Sequence, residues 1–313
     1  MGKQAREIRL SGIFPAAITP HHPKTREADY SGALDLIDFL TKAGVDGICL
    51  FGSTGEFINY SFAERQRLLS LAVKRSRVPI IAGVSHSTLT GALQLADDAI
   101  SAGADALMLM PPYFYRYSQA EVEQFYRDFA RETRDAVPIL LYNIPVFSNG
   151  IEIDTVRRLF ETGRFAGIGD SSGDWQYFEK LLALRNELPF ALFGGPEHLV
   201  GRSLQAGADG VISGCACAIP ELVAGIYQAV AKGDRTLADA LDARLIEFAK
   251  RAGQFPWPVA VRRAVELRGQ KSGPLAIPLS PVSEQALNDF SDWFSAWHLS
   301  VSEISYASVM QKP

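Results

Sequence analysis

Ser53 and Thr54 stand side by side in Gly52-Ser53-Thr54-Gly55-Glu56. Two neighbouring hydroxyls on a glycine-flanked turn, together with the turn's own N–H groups, suit a carboxylate or phosphate oxygen. The same residue types also cap helices, so the pair alone leaves both roles open. Tyr142 closes the apolar run Ile139-Leu140-Leu141 and precedes Asn143-Ile144-Pro145. A phenol there can give and take a proton, or can tie its OH to backbone at the rim of a sheet. Glu56, His86, Asp170, Glu197 and His198 also follow apolar runs. They are plausible ligands for a hard metal and equally ordinary caps and loop hydrogen-bonding groups. The three cysteines, Cys49, Cys215 and Cys217, are too few and too scattered for a disulfide framework, and they read as small buried hydrophobes.

The segments that carry these residues follow one pattern: a short apolar strand, a loop, then an amphipathic helix. Strands are expected at Ile13 to Ile18, Gly47 to Phe51, Pro79 to Val84, Ala104 to Met110, Pro138 to Tyr142, Phe165 to Gly169, Phe190 to Phe193 and Gly210 to Ser213. Helices are expected at Tyr30 to Ala43, Ser61 to Ser76, Thr88 to Ala102, Ser118 to Arg134, Asp154 to Phe160, Asp174 to Glu187, Glu197 to Ala206 and Pro220 to Lys232. Ala43-Gly-Val-Asp-Gly47, Ala102-Gly-Ala-Asp-Ala106 and Ala206-Gly-Ala-Asp-Gly210 each close a helix with glycine and open a strand. Uncharged strands between helices imply a parallel sheet buried on both faces. Eight such units predict an α/β fold, a (β/α)8 TIM barrel over residues 1–232. Residues 233–313 then form a C-terminal helical appendage packed on it as one structural unit. Its helices are expected at Arg235 to Lys250, Trp257 to Leu267 and Ser283 to His298.

Composition narrows the function. Of 313 residues, 47% are hydrophobic and 21% charged, enough for a large core. A net charge of −4 with no long basic run argues against nucleic acid as partner. No apolar run reaches the roughly 18 residues of a membrane span. Met1 to Leu10 is polar, without the apolar centre of a signal peptide, so the cytoplasm is the expected location. In a barrel of this kind the strands' C-terminal ends carry the site. The loops after Phe51, Val84, Met110, Tyr142, Gly169, Phe193 and Ser213 therefore share one face.

Taken together those loops resemble the dihydrodipicolinate synthase and N-acetylneuraminate lyase family of class I pyruvate-type aldolases, from about Ile13 to Leu287. Gly12-Ile-Phe-Pro-Ala-Ala-Ile-Thr-Pro20 looks like the family's first strand. Gly52-Ser53-Thr54-Gly55-Glu56 looks like its carboxylate loop, and Tyr142-Asn143-Ile144-Pro145 its catalytic-tyrosine strand. Gly273-Pro274 through Pro278-Leu279 is similar too. The resemblance implies a small-molecule 2-oxo acid ligand, held by Ser53 and Thr54 with Tyr142 moving protons. Ser213, at the end of the eighth strand, is placed in the same binding site. A homo-oligomer, tetramer or dimer, is also implied, with Tyr113-Phe114-Tyr115 at an interface. No cofactor or metal is called for.

Three positions depart from the pattern. The lysine that forms an imine with pyruvate falls on Gly169. A tyrosine that in the synthases reaches the neighbouring subunit's site falls on Phe114. An arginine after Tyr-Asn-x-Pro falls on Phe147. None of the chain's lysines (Lys3, Lys24, Lys42, Lys74, Lys180, Lys232, Lys250, Lys271 and Lys312) lies at a strand end. Arginine stays protonated and cannot substitute as an imine former. The expectation is a lyase-family protein acting on or binding a 2-oxo acid without imine chemistry, and not a functional dihydrodipicolinate synthase. Gly169 leaves room where the lysine stem would stand, and Phe114 and Phe147 make the distal pocket more apolar. A non-catalytic 2-oxo acid binding or regulatory protein and a metal-assisted aldolase or hydratase are the alternatives.

Overall fold

The computed structural model describes residues 8–309, with side chains described up to residue 301. Lys3, Lys312 and most of the polar N-terminal stretch lie outside them. Strands and helices alternate as β1 (Gly12–Pro15), α1 (Tyr30–Lys42), β2 (Ile48–Leu50), α2 (Phe62–Arg75), β3 (Ile80–Gly83), α3 (Leu89–Ala102), β4 (Ala106–Leu109) and α4 (Gln119–Thr133). They continue as β5 (Ile139–Asn143), α5 (Ile153–Phe160), β6 (Gly167–Asp170), α6 (Trp175–Arg185), β7 (Ala191–Gly194), α7 (Val200–Gln205), β8 (Gly210–Ser213) and α8 (Pro220–Ala231). The strands form one parallel sheet in the order β1-β8-β7-β6-β5-β4-β3-β2. Its ends meet where Ala16 bridges Cys49 and the Ala17 N–H donates to the Cys49 carbonyl at 2.9 Å. The fold is the (β/α)8 TIM barrel that the alternation predicts. β1 is shorter than its apolar run: the Ala16 N–H still donates to the Ser213 carbonyl of β8 at 2.8 Å while Ala16 bridges Cys49 of β2, and the Ala17 N–H donates to β2.

Almost every strand residue is buried, as a sheet covered on both faces requires. Phe14 and Phe193 meet edge to face at 5.5 Å between centroids and fill the barrel's inside. Gly47 makes room for Phe14: a Cβ there would lie 2.2 Å from that ring. The helices start on side-chain caps. Asp29 accepts from Gly32 N–H, Thr88 from Gly91 N–H, and Ser61 forms a capping box with Glu64.

The repeated Ala-Gly-x-Asp segments do more than stop helices. The carboxylate of each aspartate accepts the N–H of a residue at the start of the preceding strand. Asp46 accepts from Ile13, Asp105 from Ile80 and Asp209 from Leu192, each at 2.8 Å. Each aspartate thus enters its own strand and pins the strand before it.

Three further helices follow: α9 (Arg235–Ala252), α10 (Val259–Leu267) and α11 (Pro281–Val309). α9 packs along α8, and α11 lies against both α8 and α10. Phe248 of α9 sits among Phe290, Trp293, Phe294 and Trp297 of α11. Trp257 falls before α10 rather than within it, since a residue preceding proline is pushed out of the helical region. Among the described residues no helix is long and apolar enough to cross a membrane.

Asp105→Ala strands the Ile80 N–H at the end of the barrel remote from the loops after the strands. The expected loss is about 1–3 kcal/mol of unfolding free energy, read by urea denaturation. A midpoint equal to that of the unaltered chain would show that the pin is not needed.

Candidate active site

Pairing of β5 with β6 and of β6 with β7 sets Tyr142, Gly169 and Phe193 level with one another, and all three point into the barrel. Tyr142 is at the C-terminal end of its strand, beneath the loop that follows β2. Its hydroxyl lies 3.0 Å from the Ser53 hydroxyl, and Ser171 from the loop after β6 lines the same cavity. Burial pushes the Tyr142 phenol up to about 12, with the Ser53 bond opposing the rise. The phenol is therefore neutral at physiological pH and is available as a donor.

Above it is a cavity of about 260 Å³ whose wall includes Ser53, Thr54, Tyr142, Ser171, Glu197 and Trp257. Thr54 is 2% exposed, and its hydroxyl accepts the Trp257 indole N–H at 3.2 Å. The two hydroxyls predicted to act together are thus both present, one tied to the tyrosine and one to a tryptophan. Phe147 also lines the wall.

The loop after β2 is forced into shape. Glu56 takes a left-handed backbone (φ 48°), and its N–H donates to the Ser53 carbonyl at 3.1 Å. A Cβ on Gly55 would come within 3.0 Å of the Ala17 carbonyl oxygen. The Glu56 carboxylate is held at 2.7 Å by Arg262 of α10, which is 1% exposed. Arg262 donates as well to the Thr19 carbonyl (2.9 Å) and the Ser272 carbonyl.

Glu197 is named from the sequence only as a possible metal ligand, yet it is the one carboxylate in this wall. Ser213 Oγ donates to it at 2.7 Å and Cys215 N–H at 2.9 Å, and Gly214 N–H adds a third bond. Part of the residue stays open to the cavity while the surrounding protein strips most of its water. That desolvation raises its pKa despite the three donors.

The other expected residues lie elsewhere. Ser213 is fully buried and turns to Glu197, so it supports the wall from behind instead of lining it. Gly169 faces the barrel interior below the wall. A Cβ built on it meets only the Ile212 methyl within 4 Å, at 3.4 Å, an ordinary contact, so the space beside it is open. Phe114 is 86% exposed with φ 80° and points away, its ring against Tyr115.

The five candidate metal ligands go to separate partners. Glu56 pairs with Arg262, and Glu197 with Ser213 and Cys215. His86 bonds Thr88 at 3.0 Å, Asp170 takes Asn143 and Ser172, and His198 stays exposed. No three His, Cys, Asp or Glu side chains cluster among the described residues. The buried thiols are unreactive: burial pushes Cys49 and Cys217 up to about 12.

Seven of the nine lysines are among the described residues, and none is in this wall. Lys180 lines a separate groove beside α5 and α6, and Lys271 pairs with Asp35.

The model of the dihydrodipicolinate synthetase family matches residues 9–296. The chain belongs to this family. It is 32% identical over 276 residues to the 4-hydroxy-tetrahydrodipicolinate synthase of Methanothrix thermoacetophila, covering 88% of this chain and 92% of that one. The crystal structure of dihydrodipicolinate synthase from Aquifex aeolicus superposes with a TM-score of 0.85 at 27% identity, over 92% of this chain and 98% of that one. N-acetylneuraminate lyase from Mycoplasma synoviae shares the fold at 22% identity and a TM-score of 0.81, over 93% and 98% of the chains. Lyase and aldolase chemistry is the family's type.

Beside Gly169, burial raises Asp170 to about 6, against bonds from Asn143 (2.8 Å) and Ser172 (2.9 Å). A carboxyl raised on folding keeps its proton longer in the folded state than in the unfolded one. Stability therefore falls as pH rises from about 4 through 6, and the full penalty stands above that window. Asp170→Asn removes this share. It is expected to stabilise the chain at pH 8 by roughly 2–3 kcal/mol, with little gain at pH 4. Denaturant midpoints at both pH values measure the difference, and an equal shift at both would refute the assignment.

Proposed function

We propose that this family member holds a 2-oxo acid over Tyr142 and activates it by hydrogen bonds and proton transfer, with no covalent imine. The observation that supports this is the Ser53–Tyr142 hydroxyl pair in the wall of a cavity lined by no lysine among the described residues. Ser53, Thr54 and the turn that carries them cradle the carboxylate. The neutral Tyr142 phenol donates to the 2-oxo oxygen. Glu197 in its ionised form takes a proton from the carbon next to the carbonyl. The C–H electrons then form the C=C bond, and the charge lands on the oxygen facing the phenol. A carboxyl with a raised pKa is the stronger base, which suits this task.

The metal-assisted alternative has less support, because no three of its candidate ligands cluster among the described residues. The non-catalytic alternative retains one observation in its favour: no cation lines the cavity to stabilise an enolate. Exposed Phe114 and Tyr115 favour assembly of copies through this rim, and the cytoplasm remains the proposed location.

Two measurements test the reading. Pyruvate with borohydride, followed by intact mass, is expected to leave the protein unmodified. A stoichiometric adduct on one lysine would overturn the lysine-free mechanism. In D2O the methyl protons of pyruvate, followed by NMR, are expected to exchange for deuterium at a rate that rises with pH as Glu197 ionises. Tyr142→Phe and Glu197→Gln should each slow exchange by about 10²-fold or more. Binding without exchange in the unaltered chain would select the non-catalytic alternative.

A further inference from the structure

The cavity over Tyr142 opens into a second one of about 260 Å³, and Ser53, Phe147 and Trp257 belong to both walls. The outer wall is mainly apolar: Phe57, Ile58, Met110, Tyr113, Phe147 and Trp257. Its polar side chains Ser53, Glu56 and Asn59 are already engaged, Ser53 with Tyr142. Glu56 faces Arg262, and the Asn59 amide donates to Glu56 at 3.4 Å. The aromatic wall is also braced from behind. Tyr113 meets the Phe57 ring edge-on at 5.7 Å, and the buried Arg65 guanidinium lies 5.3 Å from the other side of that ring. Arg65 is in turn fixed by a bond to the Gly83 carbonyl at 2.9 Å. Trp257 is fixed by its indole bond to Thr54. A preformed chamber of rings with no unspent charge favours an aromatic group and penalises a carboxylate that must leave water.

We infer that the substrate is a 2-oxo acid with an arylalkyl substituent, its head over Tyr142 and its ring between Tyr113, Phe57, Phe147 and Trp257. This rests on the proposed 2-oxo acid reading of the inner chamber. Phe147 is the hinge of the selection. It is 51% exposed at the boundary of the two cavities and would be covered by such a ring.

Calorimetric titration of the full chain with pyruvate, phenylpyruvate and 2-oxoglutarate tests the inference. Phenylpyruvate is expected to bind at least tenfold tighter than pyruvate, and 2-oxoglutarate no tighter than pyruvate. Tyr113→Ala should cut the phenylpyruvate-to-pyruvate preference at least fivefold, and Ser53→Ala should weaken both ligands. Circular dichroism and thermal melts confirm that the variants are folded. If pyruvate binds and phenylpyruvate gains nothing, or if 2-oxoglutarate binds tightest, the aromatic assignment fails while the 2-oxo acid reading stands. A preference untouched by Tyr113→Ala also overturns it, since the ring then sits elsewhere. If neither pyruvate nor phenylpyruvate binds, the 2-oxo acid reading fails and the inference with it.

Discussion

One buried ion pair governs the geometry above the barrel. Arg262 comes from the helices beyond the last strand, and Glu56 ends the loop after β2, 206 residues earlier. The loop's left-handed residues, Phe51 (φ 59°) and Glu56 (φ 48°), are strained features that need an anchor. Arg262 supplies it and at the same time ties down the carbonyls of Thr19 and Ser272. Its guanidinium holds oxygen partners from three segments at once, so the pair fixes one arrangement of them together. Ser53 reaches Tyr142, and Thr54 reaches Trp257, because of that arrangement. The C-terminal helices are therefore part of the site's construction and not an ornament on the barrel.

The barrel was legible because its signals are local and repeated: apolar strands, capping side chains and glycine stops at regular intervals. Ser53, Thr54 and Tyr142 were legible because hydroxyls and a phenol ending apolar runs have few bland explanations when they share one face. Trp257 and Arg262 were not, since their partners lie more than two hundred residues away. Arg262 did leave a trace, as an arginine on the apolar stripe of α10, where the helical period calls for a hydrophobe. Glu197 was visible as an acid after Gly-Gly-Pro, but only burial beside Ser213 and Cys215 separates it from a surface charge. Phe114 carried two expectations, a distal pocket from the family resemblance and an interface from its aromatic run, and within one chain its left-handed backbone turns it outward.

The cavity is electrostatically unusual for a site that would hold an acid anion. Among the described residues its wall provides hydroxyls, a phenol and a carboxyl, and no cation. Neutral donors in a water-poor space still polarise a carbonyl, because a hydrogen bond strengthens as the local dielectric falls. They do so less than an iminium would. In the proposed lysine-free reaction the burden falls on placement, and the Tyr113, Phe57 and Arg65 cluster is suited to placement.

The aspartate pins at the opposite end of the barrel divide it into quarters. Strand pairs β1–β2, β3–β4 and β7–β8 each carry one. The pair β5–β6 has no aspartate in that place, for Arg164, Phe165 and Ala166 lead into its second strand. That unpinned quarter is the one that presents Tyr142 and Gly169. The scaffold is thus fastened by aspartates in three modules, while the fourth is joined at that end by the Ala166 N–H to the Ile139 carbonyl. A lineage could exchange a reactive residue there without disturbing the fastenings that keep the barrel closed.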